Sequence, residues 1–386
     1  MDQQAAATMS GKSKPEQAND PSTPTLQHIT SLLAELTNPS AEGQFFHSHV
    51  PSTSNTQSST TLKYLLLDPT HSFHSTITEA RAVILAGGTM SPMSDYTSHL
   101  LSYLPPSQIT TLSCGHVIPK ENLIAWTLSS GPTGKTFEFT YGKRGGREGE
   151  EMLDDLGRAL LNICGVVPDG VVVFFPSYNF LDTVIKRWQI ASPGSKGSVW
   201  ERLGAKKALF KESKEVKSGD DVLADYAKAV EEGKGGLLLS VVGGKMSEGI
   251  NFSDRLGRCV VIVGLPFPNI QSGEWKAKLR YIEHATEQKL EGEGIGEVER
   301  KARAKQAARE FYENACMRAV NQSVGRAIRH QGDYAAIVMV DRRFRNERIR
   351  GKLPGWIQEG LVKGAEEKSF AELLSRLGSF FRAKRS

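Results

Sequence analysis

From residue 62 onward the chain is punctuated by continuous apolar runs bounded by turn residues. They are LKYLLLD (62–68), RAVILAGG (81–88), VVVFFP (171–176), LLLSVVGG (237–244), RCVVIVGLPFP (258–268) and YAAIVMVD (334–341). A strand that is apolar at nearly every position has both faces covered, as parallel strands do. Between the runs, apolar residues recur at helical spacing over 148–163, 177–189, 219–232, 272–285 and about 295–329. Strands alternating with amphipathic helices predict an α/β fold with a doubly wound, mostly parallel sheet. Such sheets carry their sites in loops at the carboxyl ends of strands. The loops after Ala86, Phe175, Val242 and Val263 are therefore the ones to inspect.

Before residue 62 the pattern is different. Residues 1–24 are rich in Gln, Ala, Ser, Pro and Asp and are expected to be a disordered tail, because they offer too little apolar surface to offset ordering entropy. Ile29, Leu32, Leu33 and Leu36 predict one short helix over 25–37. Residues 38–60 read as a polar linker. The charge-dense stretch 283–310 reads as a solvated helix face or an insertion. The 386 residues carry 48 Lys and Arg against 43 Asp and Glu, a net charge of +5 that is compatible with a polyanionic partner. No run of about 18 apolar residues is present to span a membrane. Cys114, Cys164, Cys259 and Cys316 lie far apart with no C-x-x-C pair, which excludes a disulfide scaffold and a local zinc or iron–sulfur site.

Four segments carry candidate chemistry. SSGPTGKT (129–136) ends as a phosphate-binding loop does, but that motif needs Gly where Ser129 stands and a helix where the strand-like FEFTY follows. A hairpin turn is the better reading. NQSVGRAIRH (321–330) holds Gln322, Gly325, Arg326 and Arg329. On a helix, residues three apart share a face, and two fixed guanidinium forks on one face suit a triphosphate. GGKMSEGINFSD (243–254) presents Lys245, Ser247, Glu248, Gly249 and Asn251 at a strand end, where paired glycines let backbone approach a ligand. AGGTMSP (86–92) places Thr89 and Ser91 in a glycine-bounded loop, where either is also a simple helix cap.

These blocks, in this order, resemble the iron–sulfur superfamily 2 DNA helicases related to the xeroderma pigmentosum group D helicase. AGGTMSP looks like helicase motif III, VVVFFPSYNFL (171–181) like motif IV, GGKMSEGINFSD like motif V, and NQSVGRAIRHQGDYAAIVMVDRRF (321–344) like motif VI. LKYLLLDP, AGGTMSPMSDY, GKMSEGINFSD and VGLPFPN are similar to the chromosome-loss branch, which serves sister-chromatid cohesion. Asn251 stands where many relatives carry Asp, as expected for that branch.

The resemblance implies a RecA-like second motor domain, with ATP in the cleft between two such domains. Arg326 and Arg329 would then act as arginine fingers, with Gln322 positioning the same phosphate. Glu248, Gly249, Asn251, Gly325, Thr89 and Ser91 would bind nucleotide or couple it to movement, and Ser177, Tyr178 and Lys245 would contact DNA. For Tyr178, stacking on a base and packing in the core stay equally open. The run RRFRNERIRGK (342–352) is a DNA-contacting edge or a solvated turn, and FFRAKRS (380–386) reads as a basic end. The family's phosphate loop, its D-E-x-H box for Mg2+ and its four clustered cysteines have no counterpart here. The expectation is therefore a C-terminal half. Residues 1–60 would be tail and short helix, 61–92 the last strands of a first domain, and 93–386 the second domain. ATP and Mg2+ would be held only together with a first motor domain, and an iron–sulfur cluster would be ligated outside this chain. Expected partners are single-stranded or forked DNA, the N-terminal helicase half and cohesion or replication-fork factors, in the nucleus, with no membrane. The alternative is a non-catalytic DNA- or partner-binding module.

Overall fold

The computed structural model describes residues 25–37, 43–50, 59–68, 70–115, 118–191, 197–214, 219–246 and 252–384. The expected disordered tail lies outside them. The chain divides into two units, Met1–Pro69 and Thr70–Ser386.

In the first unit, helix α1 (Thr25–Glu35) occupies the predicted span. Strands β1 (Gly43–Val50) and β2 (Ser59–Leu66) pair antiparallel, from Gly43 opposite Leu66 to Val50 opposite Ser59. The run LKYLLLD thus contributes a strand, but its partner comes from the stretch read as a linker. GQFFHSHV brings the ring of Phe45 within 5.1 Å of that of Tyr64 across the ladder, a tilted aromatic pair that flanking Ser and His residues hide in the linear pattern.

In the second unit, helix α2 (Thr70–Glu79) comes first. Strands β3 (Leu123–Leu128), β4 (Gly170–Phe175), β5 (Ala208–Lys211), β6 (Gly236–Val241), β7 (Cys259–Val263) and β8 (Ala335–Val340) form one parallel sheet in the order β3-β8-β7-β4-β6-β5. Every residue of β3, β4, β6, β7 and β8 is buried, which is why these runs lack polar alternation. Alternation of side chains divides them between two layers. Val171, Val173 and Phe175 of β4 face one core with α3 (Gly146–Val166), α4 (Tyr178–Gln189), α5 (Val199–Gly204) and the C-terminal helix Phe370–Ala383. Val172 and Phe174 face the other, with Tyr226 and Val230 of α6 (Gly219–Glu231) and Met317, Val320 and Val324 of a long helix. That helix, α8 (Glu297–Val324), is preceded by α7 (Gly273–Gly292), and the charge-dense stretch 283–310 falls on the two of them. Lys301–Glu297 and Arg303–Glu299, both at 2.5 Å and four residues apart, line its solvated face. No helix among the described residues is long and apolar enough to cross a membrane.

Two expectations differ from this architecture. RAVILAGG forms no strand. It runs without a ladder partner among the described residues and leaves Ile84 89% exposed, because the sheet ends at β3 and β5 and neither pairs with it. The stretch after GPTGKT is not a strand either. Phe137 and Phe139 are buried, but the backbone amide of Phe139 donates to Asp341 Oδ2 at 3.0 Å instead of to a neighbouring strand. GPTGKT itself is a tight turn. Ser130 bridges Thr136, Gly131 N donates to Lys135 O at 2.9 Å, and Gly134 supplies a φ of +81°. The next α-helix begins at Gly146, and Lys135 Nζ is engaged by Glu151 at 2.5 Å.

Candidate nucleotide and strand interface

The inner face of α8 carries polar residues among apolar ones. Asn314, Arg318, Asn321 and Gly325 follow each other at spacings of four, three and four, so they form one stripe. Residues 89–95 dock along it. Asn321 is fully buried, and its Nδ2 donates to Ser91 O at 3.1 Å and to Lys352 O at 2.9 Å. A buried amide of this kind needs such partners. A Cβ on Gly325 would lie 3.1 Å from Thr89 Oγ1 and 3.0 Å from Asn321 O, so the glycine lets the loop approach. Asp95, 7% exposed, accepts from Asn314 Nδ2 at 2.6 Å and pairs with Arg318. Lys352 closes the group on Asn314 Oδ1, and burial pushes its ammonium down from the usual lysine range. Thr89, Ser91 and Gly325 are thus brought together. Asp95, Asn314, Arg318 and Asn321 are functional candidates that sequence reasoning missed; their helical spacing was the available signal.

The helix was expected to reach residue 329, with Arg326 and Arg329 on one of its faces. It ends at Val324 instead. Gly325 caps it by donating to Asn321 O at 2.9 Å, and the chain must then turn to enter β8 at Ala335. Gln322 is exposed on the last helical turn, Arg326 is half-buried and Arg329 is exposed, both arginines in the turn beyond. The far end of the 243–254 loop reaches the same place. His330 Nε2 lies 2.8 Å from Asp254 Oδ1, and Asp254 N donates to Asp333 Oδ2 at 3.3 Å. Asp333 is buried and also accepts from Arg258 at 2.8 Å, so this trio reads as a structural latch. Glu248, Gly249 and Asn251, with Ser247, lie outside the described residues.

At the carboxyl end of the sheet, Ser177 caps α4 by accepting from Phe180 N at 3.3 Å. Tyr178 is half-buried, and its hydroxyl donates to Glu212 Oε1 at 2.6 Å. Burial, followed by this carboxylate, pushes the phenol up to about 12. Glu212 is 1% exposed and also accepts from Ser240 Oγ at 2.6 Å, Val241 N at 2.9 Å and Met246 N at 3.2 Å. It therefore fixes the turn that presents exposed Lys245. A single acid after the short strand β5 gave no sequence signal. In the run 342–352, Arg343 grips Asp341 through Nε at 2.9 Å and Nη2 at 2.8 Å. Arg348 meets Glu313 at 2.5 Å, and Arg342 pairs with Glu138. Hydrogen bonding from Lys143, with Arg342 nearby, holds the Glu138 carboxyl below the usual carboxylate range.

Residues 160–360 match the helicase C-terminal domain family, and the chain belongs to that family. It is 50% identical over 369 residues to the ATP-dependent DNA helicase chl1 of Aspergillus niger, covering 95% of this chain and 41% of that protein. It is 50% identical over 411 residues to the ATP-dependent DNA helicase CHL1 of Sclerotinia sclerotiorum, covering 94% and 45%, and 44% identical over 369 residues to chl1 of Schizosaccharomyces pombe, covering 95% and 40%. The chain thus spans less than half the length of these relatives. A solved XPD helicase shares the fold, with a TM-score of 0.52 at 18% identity over 85% of this chain and 48% of that one.

Proposed function

We propose that this chain is the second motor domain of an ATP-dependent DNA helicase that unwinds DNA in sister-chromatid cohesion and genome maintenance, in the nucleus. Residues 93–386 form that domain, and residues 61–92 belong with the first. ATP is the substrate, held in a cleft that the first motor domain completes. Arg326 and Arg329 stabilise charge at the γ-phosphate, with Gln322 orienting it. Glu248, Gly249 and Asn251 report the nucleotide state to the strand, and Thr89 and Ser91 couple hydrolysis to domain movement. Lys245 meets strand phosphates, beside Ser177 and Tyr178, whose hydroxyls are committed to helix capping and to Glu212. Mg2+ neutralises phosphate charge when bound, and its carboxylates come from the first domain, since Asp254 and Asp333 are engaged by His330 and Arg258. The cysteines fit no cluster here. Burial pushes the Cys164 thiol up to about 12 and raises those of Cys259 and Cys316, which keeps them protonated.

The observation that carries this reading is the docking of Thr89 and Ser91 on Gly325 and Asn321, one residue from Arg326. A chimera joining residues 62–386 to the preceding part of the Aspergillus niger relative tests it. The expected chimera hydrolyses ATP when given single-stranded DNA, and Arg326→Ala lowers turnover about a thousandfold while strand binding persists. Normal hydrolysis in the variant removes Arg326 from the catalytic residues. Loss of both activities makes it structural.

A further inference from the structure

Beyond the carboxyl ends of β7 and β8 lies a cavity of about 460 Å3 whose groups match neither Lys245 nor the arginine turn. Its walls include Leu265, Phe267 and Ile349, which are apolar. Arg342, Arg345 and Arg348 stand at it as exposed cations. Glu313, 7% exposed, also lines it. Its Oε1 is taken by Arg348 at 2.5 Å, while its buried Oε2 has no hydrogen-bond partner. An unpaired buried acceptor is costly unless a donor reaches it. The cavity therefore combines an apolar wall and exposed cations with a carboxylate behind Arg348 whose second oxygen lacks a donor, and its volume is that of a small-molecule pocket. A second cavity of about 430 Å3 shares Arg342 and Arg345 but is also lined by Glu366 and Glu367, which disfavour a phosphate chain on that side. In the other direction the strand order β8-β7-β4-β6 leads to Lys245, about 10–15 Å along the row of strand ends.

We propose that this cavity holds one nucleotide of a bound single strand, with its phosphates on Arg342, Arg345 and Arg348, its base against Phe267 and Leu265, and a base N–H on Glu313 Oε2, which is buried here and is uncovered as Arg348 turns from Glu313 to the phosphate. The arginines suit phosphate because their charge is permanent and their donors are fixed. Arg342 and Arg348 already meet the nearly buried Glu138 and Glu313, so a phosphate would share them, whereas Arg345 is the least committed of the three. Arg345 reaches Glu367 at only 3.9 Å, with both side chains more than half exposed. The site rests on the strand-binding reading above. It extends the strand's path from Lys245 across the sheet to residues 342–348, and it turns the basic run into a specific subsite.

The test uses the whole chain, a fluorescent oligodeoxycytidine, the same oligonucleotide with abasic residues, and free CMP. Arg345→Ala should lower the slope of log affinity against log salt by about 0.7, the value for one strand phosphate contact. Glu313→Gln keeps the side-chain shape and a partner for Arg348 but replaces the free acceptor. It should weaken the base-bearing oligonucleotide about fivefold or more, on the scale of one base contact, and leave the abasic one unchanged. A merely structural role would move both. An unchanged slope in Arg345→Ala, or equal effects of Glu313→Gln on both oligonucleotides, overturns the site. Binding of CMP with this dependence, without competition from the oligonucleotide, overturns the strand as the source. Lys245→Ala separates the two readings. If it weakens binding while Arg345→Ala and Glu313→Gln are silent, the subsite falls and strand binding stands. If the chain binds neither oligonucleotide, both fall together.

Discussion

Asn321 shows how one side chain ties chemistry to architecture. It is fully buried on the inner face of α8, and its amide holds the carbonyls of Ser91 and Lys352. Asn321→Ala would leave both carbonyls to find other partners, at a cost of about 2–4 kcal/mol in stability for a pair of buried bonds. Urea unfolding of the isolated chain measures it. Gly325→Ala makes a different demand, because its Cβ would press on Thr89 and on the Asn321 carbonyl. In the chimera it should lower ATP turnover more than it lowers the unfolding midpoint, since it displaces the loop beside Arg326. A stability loss equal to that of Asn321→Ala with full turnover would sink the coupling role of Thr89. The arginines and glycines of this site were legible in the sequence because their types and spacing carry chemistry. Asn314, Arg318 and Asn321 were missed, because their helical spacing alone does not say what they bind, and their partners Ser94, Asp95 and Ser91 lie more than 200 positions away.

Elements were legible where burial is two-sided. The runs of β4, β6, β7 and β8 declare themselves because no face meets water. LIAWTL became β3 without being predicted, since Thr127 interrupts its apolar texture, and the four residues of β5 are too few for a pattern. That short strand matters because it delivers Glu212 beneath the turn carrying Lys245. Four donors converge on its two oxygens, from Tyr178, Ser240, Val241 and Met246. Hydrogen bonds to a buried carboxylate are stronger than neutral ones, so Glu212→Ala should cost about 3 kcal/mol or more, whereas Tyr178→Phe should cost about 1 kcal/mol. The order of the two in chemical unfolding is the check. Equal losses would mean that Tyr178 alone holds the turn. Helix α8 stops at Val324 for a related reason. Its polar end had to bend toward β8, and helical periodicity beyond Gly325 could not reveal that bend.

At the scale of the whole second unit, a six-stranded sheet has both faces covered and one apolar segment belongs to neither face. Val83, Ile84 and Leu85 run exposed just before the loop that docks on α8. An apolar run with no ladder partner leaves its amides to water, so residues 81–88 should exchange their amide hydrogens rapidly in the isolated chain. In the chimera, a first motor domain offers a sheet edge to this run, and pairing there would satisfy its backbone and cover Ile84 at once. Strong slowing of exchange at 81–88 on joining is the expected result, while β4 and β8 stay slow in both forms because each already has two neighbouring strands. The same comparison bears on activity. The sequence holds no D-E pair for Mg2+ and no glycine at the position of Ser129, so the isolated chain should release no phosphate above background even with single-stranded DNA. Turnover and protection at 81–88 should appear together, since one added domain supplies both the phosphate cradle and the missing strand neighbours. Turnover by the isolated chain, lost in Arg326→Ala, would overturn the division of labour between the two domains. Turnover in the chimera with residues 81–88 still exchanging freely would instead move the boundary, and assign that run to the second domain as an exposed edge.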